Sequence, residues 1–142
     1  MTIRSGWASV AIAVFAVSCA RPQPAAGAAG PVEAVQAFSA AIARGDAGGA
    51  WALLSTRTQR EADRLAEEAR KKTGSELPAS GRQMLFASAV PGGKITAREI
   101  SGDGGTAQVE VSDSPNSKHT FLAVREGGSW KLDLDLAEMP KR

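Results

Sequence analysis

Phe121-Leu122-Ala123-Val124-Arg125-Glu126-Gly127-Gly128-Ser129-Trp130-Lys131-Leu132-Asp133-Leu134 is the stretch that decides the fold. Two apolar segments flank a glycine pair, the pattern of an antiparallel hairpin. After the turn, Trp130, Leu132, Leu134 and Leu136 share one face, and Lys131, Asp133 and Asp135 share the other. Such alternation predicts a strand with one face on a core and both aspartates in water. Before the turn, Phe121–Val124 is apolar on both faces. That predicts a central strand covered on both sides.

Upstream of the hairpin the period stays at two. Ala107, Val109 and Val111 alternate with Gln108 and Glu110, and Asp113–Ser117 is rich in turn formers. Ile95–Ile100 predicts a weaker strand, turned back by Gly102-Asp103-Gly104-Gly105. Before Pro91-Gly92-Gly93 the period becomes helical. Pro31 opens a helix with Ala34, Val35, Phe38, Ala41 and Ile42 on one stripe. Gly45 ends it, and Asp46 caps a short second helix bearing Trp51, Leu53 and Leu54. Ser55 or Thr56 caps a third, running to about Lys72 before Thr73-Gly74. Arg57/Glu61, Arg64/Glu68, Glu67/Lys71 and Glu68/Lys72 lie four apart along it. A loop around Pro78 leads to a short apolar segment, Met84-Leu85-Phe86. Helices first and an antiparallel sheet second make the fold class α+β, in one domain over residues 31–137 with a tail at 138–142.

The N-terminus reads differently. Arg4 precedes an apolar run, Trp7–Val17, broken only by Ser9 and followed by Ser18-Cys19. A basic start, a short apolar core and small residues at a cleavage point make a secretory signal. The run is too short for a membrane span, which needs about 20 residues. Val17-Ser18-Cys19 resembles the end of a bacterial lipoprotein signal, in which the cysteine is acylated and residues 1–18 are removed. Ser18-Cys19-Ala20 also fits a plain secretory site with cleavage after Ala20, so both readings stand. Ala20, where an inner-membrane retention signal would place Asp, points to the outer membrane, facing the periplasm. Residues 19–30 then comprise the lipidated cysteine and a Pro/Gly/Ala tether.

Losing residues 1–18 removes Arg4 alone from 17 cationic residues, leaving 16 against 15 acidic ones. No clustered basic face suggests a nucleic acid. Arg70-Lys71-Lys72 closes a helix, where cations complement the dipole. Cys19 is the sole cysteine and His119 the sole histidine, so the sequence suggests neither a disulfide nor a metal or other cofactor.

The order of elements resembles the nuclear transport factor 2-like superfamily. Pro31-Val-Glu-Ala-Val-Gln-Ala-Phe38, Gly45-Asp46 and Ala50-Trp51-Ala-Leu-Leu54 look like its opening helix pair. Val109-Glu-Val111 and Phe121–Leu134, with its Gly-rich turn and Trp-Lys-hydrophobic strand, look like its terminal hairpin. The resemblance covers about residues 31–137 and is weakest between Lys72 and Lys94. It implies helices in the concave face of a curved antiparallel sheet, forming a cone. It also implies dimerisation through the convex face, here Thr120, Leu122 and Val124. The scaffold hosts enzymes, binders and assembly modules alike.

Enzymes of that superfamily place Asp, His or Tyr inside the cone. This chain has no Tyr, and strand parity turns Glu110, Asp133 and Asp135 outward. His119 shares a face with Phe121 and Ala123, but the sequence offers no partner to orient it. No Gly-x-Ser-x-Gly elbow is present. No catalytic residue is therefore assigned. Phe38, Trp51, Phe86, His119, Phe121 and Trp130 are candidates to line a pocket for a small apolar ligand, and the aromatics are equally the expected core. The reading that demands the fewest special residues is a non-catalytic envelope lipoprotein. Its lipid anchor would hold it to the membrane, and its domain would dock another envelope protein or a second copy.

Overall fold

The computed structural model describes residues 27–90 and 92–137. The expected signal segment, Cys19, most of the expected tether and the tail at 138–142 lie outside them. Four helices precede four strands: α1 (Pro31–Ala43), α2 (Ala47–Ala52), α3 (Thr56–Thr73), α4 (Gly81–Phe86), β1 (Thr96–Gly102), β2 (Thr106–Ser114), β3 (Ser117–Glu126) and β4 (Ser129–Asp133). The strands form an open antiparallel meander in the order β1-β2-β3-β4. The α+β class is as the sequence patterns predict. No helix among the described residues is long and apolar enough to cross a membrane.

Local signals set the helix ends. Pro31 stands at the start of α1, where its missing N–H costs nothing. The Asp46 carboxylate caps α2 by accepting from Gly49 N–H at 2.8 Å. Ser55 caps α3 through Oγ, which accepts from Thr58 N–H at 3.1 Å. Gly74 ends α3 at φ 64°, a left-handed conformation that glycine adopts without strain. Two of the four expected pairs along α3 form as ion pairs, Arg64–Glu68 and Glu67–Lys71. Arg57 turns away from Glu61, to Asp133.

α1 lies across all four strands and delivers Ala34 and Val35 to the core. There they meet Leu54, Ala107, Val109, Val111, Ala123, Trp130 and Leu132. Leu54, Val109 and Leu132 are fully buried. Burial of such a side chain contributes roughly 1.5–3 kcal/mol. α3 pairs with α4, and Leu85 and Phe86 of α4 pack on the core. The Met84–Phe86 segment is thus helical, capped by Ser80, whose Oγ accepts from Gln83 N–H at 3.2 Å. Gly81 makes this possible: a Cβ there would come within 2.5 Å of the backbone of Ala62 and Asp63.

Two expectations about the hairpin change. β3 is central, but the helices cover only one of its faces, and Leu122 on the other is 37% exposed. A single helical layer covers one side of a sheet, and nothing among the described residues covers the second. β4 also stops at Asp133, short of Leu136. Beyond it Leu134 leaves the sheet, and its N–H donates to Thr58 Oγ1 at 2.8 Å.

The free edge of β4 is closed by two short pieces of chain. Ala28 exchanges bonds with Trp130 at 3.1 and 2.8 Å. Leu53 O accepts from Leu132 N–H at 2.8 Å, and Ser55 N–H donates to Leu132 O at 2.7 Å. Ala28 therefore has a place in the sheet, although it lies in the stretch whose composition reads as tether. Gly27 beside it has φ 143°, and a Cβ there would collide with the Ser129 side chain.

Candidate functional site

The inward face of the sheet is not filled along its whole length. Where β2 turns into β3, a cleft of about 230 Å³ opens between α1, the loop before β1 and the strands. Helical spacing brings Val35, Phe38, Ser39 and Ile42 of α1 to one wall. Val111 of β2 and His119 and Phe121 of β3 make the opposite wall. Their shared face follows from register, since Val111 stands opposite His119 and Val109 opposite Phe121. Val90, Gly92 and Ile95 close one side, and Asp113 stands at the rim.

Three of the six candidate pocket residues, Phe38, His119 and Phe121, meet in this cleft. The other three do not line it. Phe86 touches Phe38, their ring centroids 6.2 Å apart at 58°. Trp51 is half-buried against the core, and Trp130 is a core residue at the other end of β3, opposite Arg125. Helix spacing and strand parity were sufficient signals for Val35, Ile42 and Val111. Val90 and Ile95 reach the cleft from the loop before β1, which leaves no periodic mark, and Asp113 follows Val111 by two along β2, where the register with β3 slips.

His119 is exposed, and its Nε2 lies 3.2 Å from Ser117 Oγ. With a hydroxyl partner and the Asp113 carboxylate at the same rim, the cleft offers hydrogen-bonding groups beside a mainly apolar wall. That combination suits an apolar body with one polar end. Among the described residues, no group of three His, Cys, Asp or Glu is arranged to hold a metal.

A second polar cluster lies at the start of α3. The Asp133 carboxylate was expected in water; its side chain is only 12% exposed. It accepts from Arg57 Nε at 2.9 and 3.0 Å and from Ser55 Oγ, with Thr58 Oγ1 at 3.4 Å. The parity argument fails here because β4 is an edge strand. A side chain on its outward face can be reached by the first turn of α3, with its unpaired N–H groups and Arg57. Burial pushes the Asp133 carboxyl up, but the bonds from Arg57, Ser55 and Thr58 outweigh it and hold the group below its ordinary value. Glu126, at the hairpin, accepts from Thr56 N–H at 3.1 and 3.2 Å and from its Oγ1 at 2.9 Å. Two carboxylates of one hairpin thus clamp a helix N-terminus, a stabilising arrangement. The serine lacks a histidine base; its hydroxyl serves the cap.

On the uncovered face Glu110 pairs with Arg98 at 2.9 Å and Lys118 at 3.4 Å, turned outward as parity predicts. Asp135 is exposed, also as expected. No family model, curated protein or solved structure matches this chain.

Proposed function

We propose that this chain is a membrane-anchored envelope lipoprotein whose domain has a non-catalytic interaction or support role. The observation that carries the reading is the run from Arg4 to Cys19: a charge, a short apolar core, and Val17-Ser18 before the only cysteine. Two or three acyl chains on Cys19 give stable membrane attachment where one chain alone does not. Ala20 favours the outer membrane, with the domain in the periplasm. On this reading residues 31–137 form a nuclear transport factor 2-like domain. α1 lying across all four strands supports that arrangement. The uncovered face bearing Thr120, Leu122 and Val124 would receive an envelope partner or a second copy, and Leu122's exposure there supports it.

Intact mass of the protein extracted from bacterial membranes tests the anchor. A mass beginning at Cys19 with added acyl chains is expected, and Cys19→Ala should abolish it. A mass beginning at Arg21 without lipid would overturn the reading in favour of a secreted protein.

A second reading rests on the cleft itself, whose Phe38, Ile42, Ile95, Val111 and Phe121 would bind a small apolar ligand. Native mass spectrometry of the gently purified protein should then show a retained small molecule. Phe121→Ala should release it.

A further inference from the structure

The described chain starts at one end of the domain, and the cleft lies toward the other. The described chain begins beside the β3–β4 hairpin, where Ala28 is bonded to Trp130 and Trp130 stands opposite Arg125. His119, in the cleft wall, is six residues back along β3, about 20 Å at the usual rise per residue. α1 gives an independent measure. It starts at Pro31, three residues after the pinned Ala28, and its rise carries the chain about 17 Å to Ile42 at the cleft.

Seven residues, and so eight Cα–Cα steps, connect Cys19 to Gly27. Whatever their conformation, they span at most about 29 Å, and a flexible chain of that length averages about 16 Å end to end. With the hairpin end toward the bilayer, an average tether suffices. With the cleft end toward the bilayer, Gly27 would stand about 20 Å above the surface, and the chain would have to stretch beyond its average to about two-thirds of its full reach. Most tether conformations are incompatible with that.

We propose that the short tether holds the β3–β4 hairpin end against the lipid headgroups and directs the cleft away from the membrane. Whatever occupies the cleft is then delivered from the aqueous side, as a soluble molecule or a segment of a soluble partner, and not drawn from the lipid. This rests on the lipid-anchor reading.

Because Cys19 is the only cysteine, and acylated on that reading, an added cysteine gives a unique thiol. Arg125→Cys beside the hairpin and Asn116→Cys in the β2–β3 turn are both at exposed positions. Each full-length lipidated variant is labelled with a fluorophore and placed in phosphatidylethanolamine–phosphatidylglycerol vesicles carrying a headgroup nitroxide quencher. Unchanged melting curves confirm that both variants fold. At least twofold stronger quenching at position 125 than at 116 is expected. Equal quenching, or stronger quenching at 116, overturns the orientation while the lipid mass still stands. A mass without acyl chains overturns the anchor reading and the orientation with it. Inserting 20 Gly/Ser residues after Ala26 should abolish the difference, and a difference that survives the insertion overturns the tether as its cause.

Discussion

The two edges of the sheet are protected in opposite ways. β4 borrows backbone partners from Ala28, Leu53 and Ser55, and its hairpin sends Glu126 and Asp133 to the first turn of α3. β1 borrows nothing from the described residues. It is exposed along nearly its whole length, and its register with β2 slips between Glu99 and Ser101, leaving Ile100 as a bulge. Charge and irregularity guard that edge: Arg98 is held by Glu110 across the strands, and the bulge twists the edge away from a would-be partner. One edge is closed by packing, the other by being a poor template. Mutations should therefore weigh very differently on the two.

The largest expected effect is at the closed edge. Leu132 is fully buried, and its N–H and C=O are bonded to Leu53 and Ser55. Leu132→Ala should cost about 2–5 kcal/mol in denaturant unfolding at neutral pH, the range for a large-to-small core change. A cost below about 1 kcal/mol would mean that β4 is not part of the stable core, and the contrast between edges would collapse.

Asp133 sharpens the comparison with a pH signature. Its folded-state value lies below the ordinary carboxylate value of about 3.9. A group depressed in the folded state contributes stability above its unfolded value and loses it as pH falls through the folded one. The native protein should therefore lose stability on acidification below about pH 4. Asp133→Asn removes the charge that Arg57 and Ser55 hold and should cost about 1–2 kcal/mol at pH 7, at the lower end for bonds to a charged group because Arg57 is half in solvent. Melting curves from pH 7 to pH 3 check this. The gap between native and variant should narrow toward pH 3, and a gap constant with pH would assign the cost to shape and not to charge.

These edges also show what a sequence exposes and what it hides. The caps at Asp46 and Ser55, the glycine at the end of α3 and the alternation in β2 and β4 are local signals, each satisfied within a few residues, and all were legible. Arg57 was expected to pair with Glu61 on its own helix; it pairs with Asp133, 76 residues away. α4 was hidden for the same reason, since its seat depends on Gly81 approaching the backbone of α3. The cleft was half legible. α1 spacing and strand parity named Phe38, His119 and Phe121, while chemistry as aromatics also named Trp51, Phe86 and Trp130, which the fold keeps out of its wall.

The smallest effect is expected at the open edge, and it is the most discriminating. Ile100 is as apolar as Leu132, but it is 45% exposed at the bulge and outside the core. Truncating it removes little buried area and leaves no cavity, so Ile100→Ala should change stability by less than about 0.5 kcal/mol. Amide exchange makes the same point without mutation. Trp130 and Leu132 N–H, bonded to Ala28 and Leu53, should exchange only on near-global unfolding. The N–H groups of β1 without a strand partner should exchange orders of magnitude faster. Slow exchange there would mean that something covers β1 in solution, and an edge guarded by charge and irregularity would then be an occupied one.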